Sequence, residues 1–197
     1  MSGDDDLFAA DDAATPLTPE ERRDLIPAYV ALRSELNEVE ALNVAAGERW
    51  ALSRKRDVLD EVFLQRLHLR MFGDVWRWAG KYRSSERNIG IAPYMVPVTM
   101  RQVIDDAKYW VEQKSWPPDE LAVRFAHKLV SVHPFANGNG RWSRLAGDLL
   151  ATQIGGRRFT WGSASIVSIS DTRRAYIDAL KKADSGDIAP LLAFARS

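Results

Sequence analysis

One stretch, HPFANGNGRWSR at residues 133 to 144, gathers residue types that together suit phosphate chemistry. His133 offers an imidazole that exchanges a proton near neutral pH. Gly138 and Gly140 let the backbone approach a ligand and turn successive N–H groups inward. Arg141 and Arg144 carry guanidinium groups suited to phosphate oxygens. They stand one turn apart on a helix predicted to start at or just before Arg141, so both can reach the same side of it. The N-terminus of that helix adds partial positive charge. The stretch therefore reads as a polyanion cradle with a base at its rim. Phe135, apolar among polar neighbours, is expected to enter the core and anchor the loop. A Gly-Asn-Gly turn or a single His is ordinary in a structural loop; the ordered combination is what points to chemistry.

Helices must position this loop. One over about 119 to 131, after WPPDE, delivers His133, and RWSRLAGDLLATQI leads away from it. Upstream, TPEE reads as a helix start, with Thr18 as cap, Pro19 in the first turn and Glu21 at the capping-box position. Beyond Pro27 a stripe of Leu32, Leu36, Val39, Asn43, Ala46 and Trp50 predicts a long amphipathic helix. Asn43, its one polar member, is expected to bond to a neighbour. A second helix follows from Val58, Leu59, Val62, Phe63, Leu67 and Met71, with Gly73 as its stop. Residues 88 to 98, NIGIAPYMVPV, read as an irregular hairpin. Helices are further predicted at about 100 to 113, 171 to 183 and 187 to 195. The fold class is mainly α: a helical bundle with a β-hairpin flap beside the loop. The expected organisation is an acidic, disordered tail at 1–15, a helical extension at 16–56 and a core at 57–197.

Composition narrows the function classes. Lys plus Arg and Asp plus Glu are 27 each in 197 residues, which argues against a broad nucleic-acid footprint but not against a local cationic pocket. With no Cys, disulfides and thiolate metal ligation are excluded. Three His leave little material for a His-rich metal site. No apolar run approaches the ~20 residues that cross a bilayer, and the acidic N-terminus lacks the pattern of a secretory signal. The expected location is the cytoplasm, without a membrane partner.

The residues of 133 to 144 resemble the signature of the Fic family, HPFx(D/E)GNGRxxR. WAGKYR followed by NIGIAPYMVPVTM is similar to the family's flap, and RRAYIDALKKADSGDIAPLLAF to its closing helices. LTPEERRDLIP, RMFGDVWRWAGKYR and FARS resemble the subgroup named mobile mystery protein B. The resemblance implies an enzyme that joins AMP from ATP to a hydroxyl side chain of a target protein, with Mg²⁺ or Mn²⁺. His133 would be the general base, and Gly138, Asn139 and Gly140 the anion hole around the α- and β-phosphates. Arg141 and Arg144 would hold the outer phosphates. Asn88, Ile89, Gly90 and Ile91 would align the target segment. Asn137 stands where the family has an acidic Mg²⁺ ligand, and an amide is the weaker one. A degenerate nucleotide-binding module, or transfer of another nucleotide or phosphate-containing group, is therefore the alternative reading. Relatives also carry an inhibitory helix whose Glu pairs with the second Arg of the signature. RSELNEVEALN is the candidate here, with Glu40 preferred because it lies nearer the apolar stripe than Glu38. Glu35 and Glu38 are read as a solvated face. The resemblance further implies a companion protein encoded alongside.

Overall fold

The computed structural model describes residues 23–163 and 169–197. The acidic tail and the Thr18-capped helix start lie outside the described residues. The helices are α1 (Arg33–Leu52), α2 (Glu61–Phe72), α3 (Val96–Gln113), α4 (Pro118–Val132), α5 (Asn139–Gln153), α6 (Ile169–Asp184) and α7 (Ala189–Arg196). The mainly α reading is correct. Local chemistry sets several of their ends. Asp60 accepts from the Phe63 N–H at 2.8 Å and caps α2, and the Gly73 N–H closes it on the Leu69 carbonyl at 2.7 Å. Pro118 suits the start of α4 because its missing N–H would have found no intrahelical partner there.

The core is built around the α4–α5 pair. Leu64, Leu67, Phe72, Met100, Phe125, Leu129, Phe135, Trp142 and Leu150 are all fully buried, so α2, α3, α4 and α5 share one interior. Burying side chains of this size is worth ~1.5–3 kcal/mol each before the entropy of ordering is set against it. On the other side of α4 and α5, Ala122, Val123, Ala151, Phe159, Ala179 and Leu191 form a second cluster with α6 and α7. Small residues let the central pair approach closely: a Cβ on Gly147 would lie 3.0 Å from that of Ala126. No helix of the described residues is long and apolar enough to cross a membrane.

Two sequence expectations shift here. The buried line of α1 is Leu36, Glu40, Asn43, Gly47 and Ala51, a stripe rotated toward Glu40 from the one read off apolar residues. Gly47 causes the rotation: a Cβ there would sit 2.7 Å from the Arg70 carbonyl and the Met71 backbone, so α1 lies directly on α2. Asn43 bonds to the Arg70 carbonyl (3.1 Å) and accepts from the Asp74 N–H (3.0 Å). Glu35 is not only a solvated residue. Its carboxylate accepts the N–H groups of Ala31 and Leu32 and closes the start of α1, which lowers its pKa.

The β-hairpin is the second. Residues 84–92 are irregular, with bends at 85 and 88–91, Pro93–Met95 form a short 3₁₀ turn, and α3 begins at Val96. Pro93 and Pro97 explain this: each fixes a helical φ at a first-turn position and has no N–H for a ladder. Among the described residues, sheet-like pairing is limited to isolated bridges such as Leu25 to Trp76.

Candidate active site

The six residues between α4 and α5 are held by their own side chains. His133 ends α4 in the left-handed region (φ 53°, ψ 59°). Pro134 follows, and Phe135 turns into the core, stacked on His68 at 3.7 Å and edge-on to Trp142 at 4.9 Å. Asn139 then locks the turn: its amide accepts the Phe135 N–H and donates to the Phe135 carbonyl, both at 2.9 Å. The Asn139 side chain is thus spent inside the loop, and what it can offer a phosphate is its backbone N–H at the first position of α5. Gly138 precedes it at φ 78°, and a Cβ there would lie 2.5 Å from the Phe72 ring, so only glycine fits. The first N–H groups of α5 have no preceding helical carbonyl to bond. They and the helix dipole make the start of α5 suited to an anion.

The two arginines diverge. Arg141 lies over Phe72 and donates to Glu40 Oε2 at 2.9 Å. The other oxygen of Glu40 accepts the Trp76 indole N–H at 2.5 Å. Glu40 is buried and Glu38 exposed. The carboxylate partner is therefore the first arginine of the signature, a correction to the expected pairing with Arg144. The physical reason is direction: Arg141 leaves α5 toward α1 and α2, whereas Arg144 leaves toward α6 and lies over Tyr176 at 4.9 Å. The Tyr176 phenol has its pKa raised by burial, against the nearby Arg144 charge, which lowers it. A cleft of about 440 Å³ opens between α1 and the loop, bordered by Leu36, Asn37, Glu40, Trp76, Asn137 and Arg141.

Asn137 faces this cleft, with its side-chain oxygen already accepting the Gly138 N–H at 2.6 Å. Among the described residues no three His, Cys, Asp or Glu converge on a point that could hold a metal. One neutral, engaged oxygen does not fit a protein-held Mg²⁺, which favours charged oxygens. Of the flap residues, Asn88, Ile89 and Gly90 are exposed and Ile91 half-buried, and they run past His133.

Two buried side chains assigned no role from the sequence bracket the loop: His68, and Arg83 at the end of WAGKYR. His68 donates from Nε2 to the Asn137 carbonyl, while its Nδ1 accepts the Gly80 N–H, both at 3.0 Å; this pattern needs the neutral Nε2–H tautomer. Burial pushes its pKa down to about 3. Arg83 donates to the His133 carbonyl at 2.6 Å. The advance signal for His68 was a polar residue among the apolar residues of α2, and for Arg83 its place at the end of WAGKYR.

Comparison with known proteins agrees with this architecture. Residues 58–151 match the model of the Fic/DOC family. The chain is 28% identical over 147 residues to the protein adenylyltransferase Fic of Aedes aegypti and 27% identical over 147 residues to the protein adenylyltransferase fic-1 of Caenorhabditis elegans. Each match covers 73% of this chain and 28% of the relative, so the chain spans under a third of their length. Among solved structures, the fold resembles that of the BepC protein of Bartonella tribocorum, determined with bound AMPPNP: TM-score 0.66, 17% identity, 90% of this chain and 96% of that one. On sequence and fold together, residues 58–151 of this chain form a domain of the Fic/DOC family.

Proposed function

We propose that this domain is a protein adenylyltransferase, moving AMP from ATP to a hydroxyl side chain of a target protein. The observation that carries the reading is the placement of His133 one tight loop away from the bare N-terminus of α5, with Arg141 and Arg144 in the first turns of that helix. The names of the relatives and the nucleotide in BepC support it.

In this reaction the target oxygen attacks the α-phosphorus. The bond from that phosphorus to the bridging oxygen breaks, pyrophosphate leaves, and the hydroxyl proton passes to the His133 imidazole. The N–H groups of Asn139 and Gly140 face the α- and β-phosphates, that of Gly138 joins them once it leaves the Asn137 side chain, and Arg144 stabilises charge moving to the leaving group. Exposed flap residues 88–90 and half-buried Ile91 receive the target segment. Glu40 restrains the enzyme by holding Arg141 against α1. A second reading rests on Asn137: without a carboxylate at the loop, the domain binds a nucleotide but transfers it poorly, or uses another phosphate donor.

The test is label transfer from ATP carrying a labelled α-phosphate into proteins of a lysate, with His133→Ala alongside. Loss of the base lowers transfer by ~10²–10⁴ and leaves nucleotide binding intact. Undiminished transfer by His133→Ala removes the assignment, and saturable binding without transfer by the wild type selects the second reading.

A further inference from the structure

His133 presents its ring from a backbone conformation that side-chain-bearing residues seldom adopt, so something outside the residue must hold it. Two neighbours do. The first is Arg83, which is buried among backbone carbonyls. Its Nε donates to the His133 carbonyl at 2.6 Å, and its own N–H donates to the Pro134 carbonyl at 2.9 Å. The remaining guanidinium nitrogens reach across the flap, one to the Ser85 carbonyl at 3.0 Å and the other to that of Ile91. The second is Gly90, at φ 89°, where an added Cβ would stand 2.5 Å from the Cβ of His133. Ile91 then returns its N–H to the Val132 carbonyl at 3.4 Å.

One planar side chain thus fastens three carbonyls: one at the base and one at each end of the exposed segment 86–90. Among the described residues Arg83 makes no ion pair; its hydrogen bonds go to these carbonyls, and the Glu86 carboxylate acts on its charge only from a distance. A lysine cannot replace it, because an ammonium lacks the fork that addresses divergent acceptors from fixed positions. We propose that Arg83 is a positioning residue that couples the flap to the general base, so that seating a target segment on residues 88–91 and aiming the His133 ring are one mechanical event. This rests on the transfer reaction proposed above, and Gly90 is the second half of the same device.

The test is kinetic and structural together. Arg83→Ala should keep ATP binding and lower kcat by roughly 10²-fold, the scale of a 1 Å misplacement of reacting groups. Added ethylguanidinium should restore part of the lost kcat, and Arg83→Lys should not. Gly90→Ala should also lower kcat at unchanged ATP affinity. Amide hydrogen exchange in Arg83→Ala should quicken at 84–91 and 133–135 and stay as in the wild type across α2, α4 and α5. The proposal is overturned by wild-type kcat in Arg83→Ala or Gly90→Ala, by full activity of Arg83→Lys, or by exchange that quickens evenly through the core. If the wild type transfers no label, the transfer reading fails alone. Localised exchange would then still establish the coupling of flap to His133, and even exchange would remove that too.

Discussion

Arg141 and Arg144 sit one turn apart on the same helix, and the molecule treats them in opposite ways. Arg141 is tied to a buried carboxylate that is itself tied to an indole, all on the side of α1. Arg144 lies over an aromatic ring on the side of α6 and, among the described residues, makes no ion pair. An aromatic face holds a guanidinium in place while leaving its charge for an incoming anion. A carboxylate uses that charge up. On the proposed reading, the α6 side of the loop presents an unneutralised cation to phosphate, and the α1 side does so when Glu40 releases Arg141.

The largest test of this contrast compares the two arginines directly. Arg144→Ala should cost ~10²–10³ in label transfer, as the loss of a group that meets transition-state charge does, with little change in Tm. Arg141→Ala should instead show itself in stability, losing about 1–3 kcal/mol because the Glu40 carboxylate is left buried without its cation. Urea unfolding and label transfer on both variants decide it; equal effects on both readouts would erase the distinction. Next comes release of the pair. Glu40→Gly should raise transfer by between about 5- and 150-fold, the usual range for coupling between sites, while exposed Glu38→Gly leaves it unchanged. Activation by Glu38→Gly alone would move the restraint to another face of α1. The smallest effect belongs to Asn137→Asp. Its carboxylate should lower the Mg²⁺ needed for half-maximal transfer, and superimposable metal titrations would show that this position does not touch the ion.

The helices and the loop were legible because they rest on local signals: apolar periodicity, prolines at helix starts, a glycine where φ is positive. Phe135 could be placed in the core from its contrast with its neighbours. The flap could not, because Gly90, Pro93 and β-branched residues look alike in a hairpin and in a bent approach to a helix; only the partner strand, missing here, separates them. The exit direction of Arg141 was equally hidden. Helical spacing gives a face, but the choice between Glu40 and Tyr176 belongs to whichever neighbours pack on each side. Gly47 shows the same limit: it carries no hydrophobic signal, yet it sets which way α1 rolls on α2 and so brings Glu40 inward. Arg83 and His68 act through backbone carbonyls, and carbonyls have no letter in a sequence.

His68 carries one more consequence. Folded, it stays neutral down to about pH 3, whereas in the unfolded chain an imidazole takes up a proton near 6.5. A folded pKa below the unfolded one means that the unfolded state binds the extra proton throughout that interval. The stability this residue supports is therefore whole above about pH 6.5 and drains by about 1.4 kcal/mol for each unit of acidification toward pH 3. The proton, when it arrives, lands on Nδ1 and takes away the acceptor of the Gly80 N–H, behind the same ring that holds the Asn137 carbonyl. Acid thus attacks this protein from underneath the loop between α4 and α5, through a side chain that lies outside the loop itself.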